Sequence, residues 1–147
     1  MRCVLSCSML AALFFAVGCG SGDFPVAPVS GRVLCDGQPV PHAIVFFEPL
    51  QTGESALAGK QGTARAKEDG TFVISTYGTE DGAVVGKHRV RVAPPDVDEY
   101  PQFSCPCSLN SEVDVMEVEV KAGEDNKFEV KLVKSTAKAK PDISSIR

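Results

Sequence analysis

An all-β chain is predicted, a seven-stranded immunoglobulin-like sandwich, and three observations predict it. β-branched and aromatic residues alternate with charged ones in short runs, as half-buried strands require. Asp36-Gly37, Asp69-Gly70 and Asp81-Gly82 punctuate those runs with turns in which glycine accepts positive φ. No helical period occurs after residue 20.

The first strand is predicted over Val29 to Leu34, turning at Asp36-Gly37. Pro39 and Pro41 stiffen the link to Ala43–Glu48, whose Ile44-Val45-Phe46-Phe47 run predicts a strand buried on both faces. Thr63–Lys67 and Thr71–Thr76 form a predicted hairpin around Asp69-Gly70. In Lys87–Val92, His88, Val90 and Val92 share the inner face, with Lys87, Arg89 and Arg91 outside. Met116, Val118 and Val120 alternate with Glu117, Glu119 and Lys121, and Phe128, Val130 and Leu132 with Glu129 and Lys131. Each alternation directs an apolar row inward and charge outward, the pattern of two packed sheets. Residues 94–112 show no strand pattern and are read as the longest loop.

Before the first strand the chain reads as an export signal. Arg2 precedes an apolar run from Val4 to Val17, which falls short of the about 20 residues needed to span a bilayer. Ala16-Val17-Gly18-Cys19 resembles the lipobox of bacterial lipoproteins, with Ala16 where leucine is usual. The resemblance implies cleavage after Gly18, acylation of Cys19 and attachment to a membrane. Gly20 after the cysteine, where a retention signal has aspartate, implies the outer membrane, on its periplasmic or surface side. Residues 1–18 are then signal peptide, 19–28 a lipidated cysteine with a Gly/Ser-rich tether, 29–133 the sandwich, and 134–147 a basic tail with nothing to bury.

The whole chain carries −4; losing Arg2 with the signal leaves −5. Lys134, Lys138, Lys140 and Arg147 against Asp142 give the tail +3, so the body is −8. An acidic body excludes nucleic acid as a partner, because phosphate contacts demand a basic footprint.

Three cysteines, Cys35, Cys105 and Cys107, remain in the body once Cys3 and Cys7 leave and Cys19 takes lipid. Cys105 and Cys107 flank Pro106 and are poorly placed to pair with each other. A bridge from Cys35 to either one leaves a free thiol, and which one pairs stays open.

Further along, the motifs take on a family likeness. Val29-Ser30-Gly31-Arg32-Val33 followed by Asp36-Gly37-Gln38-Pro39-Val40-Pro41-His42-Ala43 resembles the opening of carboxypeptidase regulatory-like (transthyretin-like) domains. Glu68-Asp69-Gly70-Thr71-Phe72 and the Gly82–Val90 segment are similar to later motifs of small lipoproteins carrying that domain, and the closing Val118–Asn126 stretch with Phe128 and Leu132 resembles their last hairpin. Lys67 stands where an acidic residue often precedes the turn, and Cys105-Pro106-Cys107 is no mark of the family. The resemblance spans residues 29–133 and implies a sandwich that stabilises, binds or displays, with no reaction and no cofactor.

The candidate chemistry is sparse. His88 reads as a hydrogen-bonded histidine at the core edge and His42 as an exposed turn residue. Neither a Gly-x-Ser-x-Gly elbow nor a His-Glu-x-x-His pair occurs. Asp96, Asp98 and Glu99 lack the ordered spacing of a calcium loop. The expected protein is therefore a non-catalytic binding or structural module without a metal, anchored to the envelope and facing an envelope protein or glycan. The alternative is a periplasmic metal or thiol-redox protein using Cys35, Cys105 and Cys107 as soft ligands or redox groups.

Overall fold

A computed structural model describes residues 24–51 and 58–135. Cys19, the signal segment and all of the basic tail beyond Ser135 lie outside them. Ten strands and no helix occur among the described residues: β1 (Val26–Ala27), β2 (Val29–Cys35), β3 (Gln38–Pro39), β4 (Ile44–Pro49), β5 (Gly62–Arg65), β6 (Thr71–Val73), β7 (Ala83–Val84), β8 (Gly86–Ala93), β9 (Asn110–Val120) and β10 (Asn126–Leu132). One sheet has the order β5-β4-β8-β9, antiparallel throughout. The second is built on β2, which pairs β10 in parallel and β3 and β6 antiparallel. β1 and β7 form a two-stranded ribbon at one end.

The seven expected strands are β2, β4, β5, β6, β8, β9 and β10, and the all-β sandwich stands. The three added strands are two residues long, too short to carry a period. Of the inward rows predicted from alternation, His88, Val90, Val92, Val120, Val130 and Leu132 are buried, while Met116, Val118 and Phe128 are half-buried against the same core, which Val33, Val45, Phe47 and Phe72 complete. The Phe47 ring has Phe72, Phe128 and His88 around it at centroid distances of 6.2, 5.9 and 5.9 Å. Burying each such side chain contributes about 1.5–3 kcal/mol.

Four expectations are corrected. The β5–β6 hairpin is bonded at Lys67–Thr71 and Thr63–Ser75, but its strands belong to different sheets, β5 on β4 and β6 on β2. The closing hairpin likewise crosses from one sheet to the other, because β9 pairs β8 while β10 runs beside β2. β4 is buried on one face only; Ile44 and Phe46 are half-buried outside, where Phe46 lies across from Thr63 and Arg91. The loop after β8 ends earlier than expected, since β9 starts at Asn110. Its period was masked by an irregularity: Arg91 pairs Asp114 while Val92 pairs Asn110, so residues 111–113 loop out and Val113 is 56% exposed.

The outer face of the first sheet is polar. Arg91 bonds Asp114 through Nε at 2.7 Å and sits 2.8 Å from Glu48, which lies off the hydrogen-bond direction. These half-exposed pairs join β4, β8 and β9, and each is worth at most about 1 kcal/mol.

The two ends of the sandwich differ. At the first, Phe24 N–H donates to Tyr77 Oη, Val85 N–H to Pro25 O, and the Asn126 side-chain amide to Pro28 O. Gly82 sits there at φ +97°, where a Cβ would lie 1.8 Å from Ala27 O, so only glycine fits. The described chain enters at this end. β2 then runs its seven residues, roughly 20 Å, to Cys35 at the other end.

Candidate functional site

The second end carries the chemistry. Asp36 and Gly37, at φ 53° and 79°, make the tight turn of a two-residue hairpin that pairs Cys35 with Gln38. Val40 returns to Val33, and Pro41 leads to His42. His42 is held at φ 62°, a left-handed conformation uncommon for a side-chain-bearing residue. Its N–H donates to Ala66 O at 3.0 Å, which fixes it against the end of β5.

The loop after β8 folds over this corner. Asp96 accepts the Asp98 N–H on its side chain and the Tyr100 N–H on its carbonyl, and Tyr100 O accepts the Phe103 N–H. Those turns bring Tyr100 back onto His42, ring on ring, with centroids 4.1 Å apart and planes 21° from parallel. Arg65 lies 5.2 Å from the Tyr100 ring centre and donates to Glu99 at 2.7 Å. The Glu99 hydrogen bond raises the Arg65 pKa above its ordinary value, so the guanidinium stays charged. His42 Nε2 lies 3.0 Å from Glu68. Stacking of this kind contributes about 0.5–1.5 kcal/mol, and the exposed ion pairs less.

Between the two loops lies a cleft of about 440 Å³, walled by Pro41, His42, Glu99, Tyr100, Gln102 and Phe103. It meets a second groove of about 290 Å³ at Pro41 and Ser104, lined by Cys35, Asp36, Val40 and Cys105. A disulfide joins Cys35 to Cys107, both buried, with sulfurs 1.98 Å apart. Cys105, half-buried, is the free cysteine among the described residues. Beyond the bridge, residues 106–108 pair with residues 133–135, and Lys134 reaches Asp36 at 2.6 Å.

The residues weighed from sequence thus separate. His88 is wholly buried within the core, against the expected edge position. Its Nδ1 is 3.1 Å from Gly86 O, and its buried Nε2 has no protein partner. Burial lowers its pKa below the ordinary histidine value, with the Gly86 bond opposing, so it is neutral at pH 7. His42, expected as an exposed turn residue, is instead packed against Tyr100 and lies beside the Glu68 carboxylate. Asp96 caps a turn, Glu99 pairs with Arg65, and no group of three or more His, Cys, Asp or Glu among the described residues is arranged to hold a metal ion. Tyr100, Arg65 and Phe103 carried no sequence signal, and Glu68 was read only as part of the Asp69-Gly70 turn motif. Their partners are remote in sequence and meet only because β5, the β3–β4 link and the β8–β9 loop end at one corner.

No protein-family model matches the chain, and no curated protein matches it. Among solved structures, the crystal structure of a DUF3823 family protein from Parabacteroides merdae is similar in backbone course, with a TM-score of 0.41 and 19% identity. The overlap covers 77% of this chain and 47% of that one, so this chain spans about half the length of its neighbour.

Proposed function

We propose that this chain is an envelope lipoprotein, tethered through Cys19, whose carboxypeptidase regulatory-like sandwich is a non-catalytic module that binds a partner in the His42–Tyr100 cleft. The observation that carries the reading is polarity: the chain enters at Phe24–Ala27, while the cleft opens at the opposite end of β2. A tether at one end and a loop-built cleft at the other is the arrangement that displays a binding site away from a membrane. The lipobox-like Ala16-Val17-Gly18-Cys19 and the Gly/Ser tether supply the anchor, and Gly20 favours the outer membrane. The cleft suits a protein segment. Its apolar walls, Pro41 and Phe103, alternate with Gln102 and Glu99, while His42 and Arg65 already cover Tyr100 and deny a sugar the open aromatic platform it would stack on.

Metabolic labelling with palmitate, followed by membrane fractionation, tests the anchor. The chain is expected to take label and sediment with membranes, and Cys19→Ala to lose both. An unlabelled, soluble wild-type chain would refute it. The thiol-redox alternative is favoured by one observation, the shared groove of Cys35 and Cys105. It requires turnover of the Cys35–Cys107 bond with an external dithiol, read by thiol counting.

A further inference from the structure

We infer that Cys35 exchanges its disulfide partner between Cys107 and Cys105, and that the exchange re-sets the loop that carries Tyr100. The segment 103–109 alternates as a strand does: Phe103, Cys105, Cys107 and Leu109 turn inward, while Ser104, Pro106 and Ser108 are exposed. Cys105 and Cys107 therefore occupy successive inward sites on one face. Cys105 already lines the groove in which Cys35 sits. A slip of the segment by two residues past residues 133–135 preserves every inward–outward assignment and puts Cys105 where Cys107 was.

The chemistry needs no outside oxidant. The Cys105 thiolate attacks Cys35 Sγ, the Cys35–Cys107 S–S bond breaks as the Cys35–Cys105 bond forms, and Cys107 leaves as thiolate. The proton given up by Cys105 returns to Cys107, so one disulfide and one thiol remain throughout.

Pro106 sets the bias between the two forms. In the observed register Ser108 N–H donates to Val133 O at 3.0 Å, and Pro106 O accepts from Ser135 N–H at 3.1 Å. After the slip Pro106 stands in the place of Ser108 and has no N–H to give, so Val133 O loses its donor. Ser104 takes over the acceptor role. Losing one net hydrogen bond tilts the pair toward Cys107 by roughly fivefold.

The slip tightens the chain on one side of the bridge and loosens it on the other. The span between β8 and the bridged cysteine shortens from residues 94–106 to residues 94–104, which pulls on Tyr100 and its stack with His42. On the other side, residues 111–113 already loop out of the β8–β9 ladder and can take up the surplus. The effect on binding rests on the cleft proposed above; the exchange itself does not, so the two fail separately.

The test is a thiol map of the purified full chain equilibrated in glutathione redox buffer at pH 8. Free thiols are blocked with a light maleimide, disulfides are then reduced and labelled heavy, and the tryptic peptide 92–121 is sequenced across Pro106. Cys3, Cys7 and Cys19 fall on another tryptic peptide and do not interfere. About one chain in six is expected to carry light label on Cys107. Pro106→Ala, which restores the donor, is expected to raise the ratio of Cys107-free to Cys105-free chains about fivefold. Light label on Cys107 below one chain in a hundred, or a Pro106→Ala ratio changed by less than twofold, overturns the exchange. In a folded Cys107→Ser variant the Cys35–Cys105 bond must form; finding both as free thiols, where Cys105→Ser keeps Cys35–Cys107, also overturns it. Tyr100 emission in a Tyr77→Phe background reads the loop: a rise of about twofold in Cys107→Ser over Cys105→Ser is expected, and equal emission refutes the coupling to the cleft.

Discussion

Replacing Cys35 by alanine removes any bridge to either partner and leaves the strands otherwise intact. The Cys35–Cys107 bond closes a loop with a sequence separation of 72, which holds most of the sandwich between β2 and the end of the β8–β9 loop. In the chain-entropy account, a loop of that size frees about 4 kcal/mol of unfolded-state entropy when opened. The lost sulfur contacts at two buried positions add to this, and relaxation of the corner subtracts from it. The expected net loss is about 3–4 kcal/mol, or roughly 10–20 °C in Tm for a domain of this size. Urea unfolding followed by far-UV circular dichroism reads it directly. The midpoint should fall and the slope rise, because the unbridged unfolded chain exposes more surface, and wild-type chain held in reductant should match Cys35→Ala. A loss under about 1 kcal/mol would refute the reasoning, because the loop closed by the bridge would then be ordered in the unfolded chain or idle in the folded one.

Other perturbations separate the core from the cleft. Tyr100→Ala removes the His42 stack and should cost only about 1 kcal/mol in urea unfolding, while speeding amide exchange over residues 94–104 at least tenfold. Gly31→Ala drives a Cβ to 2.1 Å from Phe128 O and 2.6 Å from the Phe72 ring, so it should cost about 2–3 kcal/mol or more by the same assay. His88 binds a proton less readily when folded, because burial lowers its pKa. The unfolded chain then holds more protons, so stability is full above about pH 6.5 and falls as pH drops below it, by at most about 1.4 kcal/mol per pH unit from this group. His88→Leu should flatten that part of the pH profile between pH 7 and 5, and an unchanged slope would contradict the assignment.

Most of the fold was legible because most strands have one wet and one dry face. In β8, His88, Val90 and Val92 alternate with Lys87, Arg89 and Arg91, and the structure buries the first set and not the second. β9 was legible only over its regular half, since the loop-out at residues 111–113 breaks the period on which the reading depends. Sheet membership was less legible than strand position. The Asp69-Gly70 turn announces a hairpin, but whether its arms share a sheet depends on β2 and β4 competing for them. The cleft was hardly legible. His42 and Tyr100 are far apart in the chain, and the stack that joins them follows from where three loops end. The choice of Cys107 over Cys105 could not be read either, because both lie on the same inward face and the Ser108 N–H to Val133 O bond, which Pro106 in that place could not make, is seen only in the tertiary structure.

The central claim is that a lipid-tethered sandwich holds its partner at the end remote from the tether. The most direct measurement is photocrosslinking in intact cells from a reactive residue placed at Gln102, beside the cleft, or at Glu124, in the β9–β10 turn near the chain entry. The account predicts a discrete adduct from position 102 that Tyr100→Ala abolishes, and none from position 124. Adducts from position 124 alone, or an adduct at 102 indifferent to Tyr100→Ala, would contradict it.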